Sequence, residues 1–214
     1  MLVILSVFLL SGLCLSQINR KSNLEILEDN ISEELEKFFY HPEIDRSLHF
    51  IFIVSSLKYD RQEKKFIEQV IRKTAQRNQL RYSIALNHSQ GSSDSIYYKF
   101  RIEILNLRTR YTRFIKDRFL GEKSVEREIT SDLKLHIEKA EEIPGRGMLI
   151  TESIRTSYKD EIMYDDYKNY ESSDYPFTQS IPPDISVFEE VIFPVSVIIV
   201  SLSSVILFFT IRSK

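Results

Sequence analysis

The chain has one cysteine, Cys14, in 214 residues, so an intrachain disulfide is excluded. It has five glycines and six prolines, too few for collagen-like or proline-rich readings. Neither sign of charge dominates. Lys and Arg total 29, Asp and Glu 31, and the formal net charge is -2. A near-neutral total excludes a polybasic nucleic-acid binder at the level of the whole chain, so no nucleic-acid partner is expected. Metal-ligand spacing is also missing. His41, His49, His88 and His136 are never paired at three or four residues apart. No phosphate loop or nucleophile elbow occurs, since Gly91, Gly121 and the pair Gly145/Gly147 read as turn glycines. These absences argue against an enzyme, and no cofactor, catalytic residue or metal site is expected.

The hydrophobic ends are what the chain does have. Leu2 to Leu13 is apolar apart from Ser6, Ser11 and Gly12. It is short of the roughly 20 residues that span a bilayer. Cys14-Leu15-Ser16 places small residues where a signal peptidase would cut before Gln17. Residues 1–16 therefore read as a signal peptide, and removing them would leave a chain held by its core alone. Val191 to Ile211 carries no charge and reaches about 31 Å as a helix, one hydrocarbon thickness. Arg212 and Lys214 follow it. Positive charge belongs on the cytoplasmic side. The expectation is a type I single-pass protein with span 191–211, a cytoplasmic tail 212–214, and its N-terminal part extracellular or lumenal. It would reside in the plasma membrane or a secretory-pathway membrane.

Charge falls in blocks. Residues 17–45 carry 3 basic and 8 acidic residues, 46–157 carry 22 and 14, and 158–190 carry 2 and 9. The acidic tether could fold back on the basic domain, or the domain could meet an acidic partner.

Residues 17–46 hold an amphipathic helix, with Leu24, Leu27, Ile31, Leu35 and Phe38 on one stripe. Leu48 to Leu57 predicts an interior strand. Asp60 caps a helix to about Arg77, with Ile67, Val70, Ile71 and Thr74 inward. Leu80 to Asn87 and Ser95 to Leu107 alternate as strands about a loop at 88–94. Thr109 to Leu120 and Ser124 to Ala140 read as helices, and Met148 to Ile154 as a last strand. Residues 47–157 are then an α+β domain, a ferredoxin-like β-α-β-β-α-β sandwich with an antiparallel sheet. Residues 158–190 form an acidic, tyrosine-rich stalk.

A lumenal domain of this order and size, close to a C-terminal span, resembles the SEA-domain family of membrane glycoproteins over roughly Ser47 to Ser157. In that family a Gly-Ser step before the third strand undergoes self-cleavage. The resemblance places such a loop at Gly91-Ser92 or, nearer the strand, at Asp94-Ser95. Neither alignment keeps both the glycine and the adjoining strand residues, and a polar loop relaxes the strain that the acyl shift needs.

Asn30-Ile31-Ser32 and Asn87-His88-Ser89 are N-glycosylation sequons. Tyr164, Tyr167, Tyr170 and Tyr175 stand among carboxylates and suit sulfation in a lumenal chain. With the opposite orientation the same tyrosines would be phosphorylation candidates. The serines of the span could pack on a membrane partner helix. The functional expectation is adhesion or binding of an unidentified protein or glycan at the bilayer. The alternatives are a tethered precursor shed as a soluble factor, an accessory subunit in the secretory pathway, and a self-cleaving domain.

Overall fold

The computed structural model describes residues 20–58, 60–85, 96–116, 121–140, 149–184, 191 and 193–212. Helix α1 spans Asn23–Phe39, strand β1 His49–Ser56, helix α2 Arg61–Arg77 and strand β2 Arg81–Ile84. Strands β3 (Tyr97–Lys116), β4 (Lys123–Ala140) and β5 (Leu149–Met163) follow. Two short 3-10 segments, Tyr164–Tyr170 and Pro176–Thr178, precede the C-terminal helix α3, Phe193–Arg212. The chain is thus α+β, with one mixed five-stranded sheet in the order β2-β1-β3-β4-β5. β1 runs parallel to β2 and β3, while β4 is antiparallel to both β3 and β5.

Both amphipathic helices begin as the sequence predicts. Ser22 and Glu25 form a capping box, with Ser22 N donating to Glu25 Oε2 at 2.7 Å and Glu25 N to Ser22 Oγ at 3.3 Å. Asp60 accepts from the backbone N–H of Gln62 and Glu63 at the start of α2. The helices pack their apolar stripes on one face of the sheet. Phe39 of α1 meets Phe50, Phe52 and Phe100 edge-on, with ring centroids 6.0–6.1 Å apart. Leu27, Ile31 and Leu35 of α1 and Ile67, Val70 and Ile71 of α2 complete this core.

The second half of the domain departs from the sequence reading. The helices expected at 109–120 and 124–140 are strand. The first is the end of β3 as far as Lys116 and the second is β4, so the ferredoxin-like antiparallel sandwich is not what forms. The cause lies in the spacing. Val125, Ile129, Leu133 and Ile137 recur every four residues, which suits a helix stripe and a strand face alike. Leu135 decides the matter. It would leave the helix stripe, but in the strand it joins an inward row of every odd residue from 125 to 137, all of them buried. Arg127 and Ser131 sit in that row as polar residues, and they hid the alternation. On β3 the inward side shifts parity twice. It passes from Tyr98, Phe100, Ile102 and Ile104 to Leu107, Thr109 and Tyr111 across the irregularity between Ile104 and Asn106, and back to Phe114, opposite the inward Val125, across that between Tyr111 and Arg113. Each shift breaks the two-residue period read along the chain. The SEA resemblance rests on the β-α-β-β-α-β order and on the membrane layout, and the first of these is not the order of this sheet.

The last strand is longer than expected and reaches Met163, nine residues past Ile154. The segment expected as a stalk therefore begins inside the sheet and continues against the core, as described below. The signal-peptide residues 1–16 lie outside the described residues. So does the loop with Asn87, Gly91, Ser92, Asp94 and Ser95.

α1 and α2 are also joined by polar contacts. Glu36 Oε1 accepts from Asn78 Nδ2 at 2.9 Å and pairs with Arg77. The Asn78 hydrogen bond, with help from Arg77, holds the Glu36 carboxyl below its ordinary 4.5. A lowered folded-state pKa stabilises above that ordinary value, and the contribution is lost as pH falls through the folded pKa. Glu36→Gln flattens the acid limb of the stability profile, measured by urea unfolding across pH 3 to 6. In the same assay Leu135→Ala costs about 2–5 kcal/mol, because it empties a site in the inward row. Lys134→Ala, on the outer face, changes stability by no more than about 0.5 kcal/mol. A helix at 124–140 would not give this contrast between neighbours.

Candidate functional site

The most constrained polar cluster is built around Arg127, whose side chain is 0% exposed. Strand register brings its partner. Arg127 on β4 stands directly opposite Asp160 on β5. The guanidinium meets that carboxylate in a two-pronged pair, Nε to Oδ1 at 2.8 Å and Nη2 to Oδ2 at 2.6 Å. Its remaining nitrogen, Nη1, donates to Asn23 Oδ1 at 2.8 Å and to the Lys21 carbonyl at 3.1 Å. The ring of Tyr170 lies 5.0 Å from the guanidinium carbon.

Asn23, the first residue of α1, extends the cluster. Its Nδ2 donates to the Thr178 carbonyl at 2.7 Å and to the Tyr111 hydroxyl at 3.4 Å. The Tyr111 hydroxyl in turn donates to the Tyr167 carbonyl at 3.4 Å. Burial is the main cause that pushes this hydroxyl above its ordinary value of 10.0. Three stretches far apart in sequence thus meet here: the start of α1, the β3-β4 hairpin, and β5 with the segment that follows it.

That segment is a docked strap. Tyr164, Tyr167 and Tyr170 pack on Tyr111, Val125 and Ile162. Tyr111 and Tyr167 rings meet at 5.3 Å, and Phe114 and Tyr164 at 5.5 Å. Further on, Tyr175 and Phe177 close on Phe66 of α2 at 5.8 and 5.3 Å, and Tyr175 donates its hydroxyl proton to Gln69 Oε1 at 3.0 Å. Thr178 is fully buried and bonds to Ser172 and Tyr175, which folds the strap on itself. Opposite charge between domain and tether suggests such a fold-back. The contact is made by rings and by the hydrogen bonds of Asn23, Tyr111 and Tyr175, with the ring of Tyr170 over the Arg127 guanidinium.

The four tyrosines singled out for sulfation therefore fall in two places, Tyr164, Tyr167 and Tyr170 near Arg127 and Tyr175 on α2. Their rings are half-buried, while Asp165, Asp166 and Asp174 between them are exposed. Asn30 lies half-buried on α1, in a shallow polar groove with Glu33, Glu34 and residues 155–157 of β5. Sequence reasoning missed Arg127, Asp160 and Asn23. An arginine in an otherwise apolar inward row is the signal that marks such a residue, and it becomes visible once β4 is read as a strand.

Each guanidinium nitrogen donates to a partner within the chain, so this cluster ties segments of the fold together. Among the described residues no group of three or more His, Cys, Asp and Glu is placed to hold a metal. Arg127→Ala leaves Asp160 without its partner and costs about 3–5 kcal/mol, while Arg127→Leu/Asp160→Leu recovers part of that loss in chemical denaturation. Because the folded state holds the Tyr111 proton more tightly than the unfolded state, stability is full below pH 10 and declines above it. Tyr111→Phe removes that decline in alkaline titrations followed by circular dichroism.

No protein family matches the chain. No curated protein matches it. Three solved bacterial structures are similar to parts of it. One is a minor lipoprotein from Acinetobacter baumannii at 15% identity and TM-score 0.28, covering 58% of this chain and 70% of that one. Another is described as a neuraminyllactose-binding hemagglutinin homolog from Helicobacter pylori, at 14% and 0.30, covering 62% and 82%. The third is the rare lipoprotein B from Shewanella oneidensis, at 15% and 0.24, covering 51% and 69%. Likeness of this extent identifies neither a family nor an activity.

Proposed function

We propose that the protein is a membrane-anchored binding module, a type I single-pass glycoprotein whose α+β domain is held at the bilayer surface to engage a protein or glycan. The observation that carries this reading is the relation between strap and span. The helix Phe193–Arg212 is long and apolar enough to cross a membrane, and its side chains from Pro194 to Ile211 are exposed. The strap is packed on the domain as far as Pro182, which is buried. Residues 183–192 can extend by about 35 Å at most. The domain's strap end thus stays close to the headgroups, a placement that suits recognition at a surface.

One further feature supports recognition at a surface, and one bears on the span. The outer face of β3, β4 and β5 carries cross-strand ion pairs, Arg113–Glu126 at 3.5 Å, Lys159–Glu128 at 3.1 Å and Arg155–Asp132 at 3.1 Å. Arg108 and Arg110 are exposed beside them. Such a face suits an acidic protein or a sulfated glycan. In the span, the hydroxyls of Ser201, Ser203 and Ser204 bond to the carbonyls four residues earlier, so they are already satisfied within the helix. That weakens the case for a partner helix held by serine.

The orientation follows from the positive residues after the span and is tested by protease protection of sealed microsomes. The domain should be digested only after detergent is added, and Asn87→Gln should remove a glycan. Digestion of the domain without detergent would reverse the orientation. Deleting 191–214 moves the protein from the membrane pellet to the soluble fraction. Finding most of the native protein soluble in the medium favours the shed precursor, and glycans that stay sensitive to endoglycosidase H favour the accessory subunit.

A further inference from the structure

Strand β5 is an edge with an unusual form. Among the described residues nothing pairs with its outer side, whereas the opposite edge of the sheet, β2, is only four residues long. β5 runs from Leu149 to Met163 with no proline or glycine, and its pairing with β4 is unbroken from Glu138↔Leu149 to Ser124↔Met163. Edge strands are usually kept short, bulged or interrupted, because their free N–H and C=O groups are a template for another strand. Here regular backbone is offered over the whole length. Arg155, Ser157, Tyr158, Lys159 and Glu161 are exposed along it.

We propose that this edge is a self-pairing seam, in which β5 of a second copy adds antiparallel to β5 and joins two sheets into one. The charges choose the occupant and the register. Two-fold pairing that keeps both core faces on the same side must place residues of equal face opposite each other. A centre at Tyr158 does so. It sets Arg155 against Glu161 twice, Ile154 against Ile162 twice, and Tyr158 against itself. The neighbouring registers are penalised. A centre at Ser157 sets Arg155 against Lys159, one at Thr156 sets Glu152 against Asp160, and one at Lys159 sets that lysine against itself. Like charges directly opposite destabilise a pair of strands. Tyr158, 38% exposed on the single chain, lies against its own copy in the chosen register. The seam also bears on Asn30. Its groove opens beside residues 155–157, so a glycan on Asn30 would stand where the second copy lies. The seam predicts an unmodified Asn30, while Asn87 is unaffected, and the proposal holds for either membrane orientation.

The test uses the full-length chain in native membranes, with Cys14→Ser to remove the background thiol. In the chosen register the two Tyr158 Cα atoms stand about 4.5–5.5 Å apart, within disulfide reach. The two Ser153 Cα atoms are separated by about 33 Å along the strands. Under mild oxidation Tyr158→Cys should form a covalent dimer and Ser153→Cys should not. Charge reversal supplies a test free of new thiols. Arg155→Glu alone or Glu161→Arg alone should lower the dimer fraction in detergent about tenfold, and the two together should restore it. Equal cross-linking at 153 and 158, a chain that stays monomeric at every concentration, or exclusive cross-linking of Tyr158→Cys to a different protein each overturns the seam. Failure of the double reversal to rescue, with the variant folded by circular dichroism, overturns the register.

Discussion

A charged guanidinium sealed from water needs partners for its nitrogens, and Arg127 sits at 0% exposure in β4. That requirement organises this end of the molecule. Asp160 must be in register on β5, Asn23 must open α1 at one place, and Tyr170 must lie over the ring of donors. If any of the three is displaced, a buried charge or amide is left without compensation. The cluster therefore fixes relations among segments that apolar packing alone would tolerate in several arrangements. Its value is specificity as much as stability, since a buried ion pair often contributes little against a well-packed apolar replacement.

The strap depends on the same cluster. Asn23 touches both Arg127 and the Thr178 carbonyl, so the residue that begins α1 also anchors the segment that leads to α3. Rings do the rest, through two clasps on Tyr111 and Phe66. The consequence is geometric. A free tether from Tyr164 to Phe193 would let the domain roam about 100 Å from α3, whereas the docked strap leaves about a third of that reach. The reach is limited by tertiary packing of residues that look, by composition, like a solvated linker.

Two parts of the sheet serve different ends. The parallel half, β2-β1-β3, lies under α2 and carries most of the aromatic core, which Phe39 of α1 joins, while the body of α1 lies on β4 and β5. The antiparallel half, β3-β4-β5, extends past that cover, takes the strap on one face and leaves a charged face open on the other. Among the described residues the edge of β5 belongs to this second half.

Local signals along the chain were sufficient for the helices and the span. Ser22 with Glu25, and Asp60 with its free backbone donors, are short-range devices that act within one turn. The uncharged run that becomes α3 needs only length and composition. Alternation at 80–84 and 97–104 likewise appears unchanged in the structure. The rest of the fold needed three dimensions. The four-residue spacing in β4 fits two secondary structures, and the choice is made by cross-strand neighbours in β3 and β5. Parity shifts at the β3 irregularities are invisible without the partner strand. The burial of Arg127 and the docking of the tyrosines join residues about 100 positions apart, as in the contact of Asn23 with Arg127, and no local pattern encodes such a meeting. Sequence alone thus determined which segments are amphipathic, capped or lipid-compatible, because those properties act over a few residues. Tertiary structure decided strand against helix in β4, stalk against strap, and which charge is buried, because each depends on what packs on the other side.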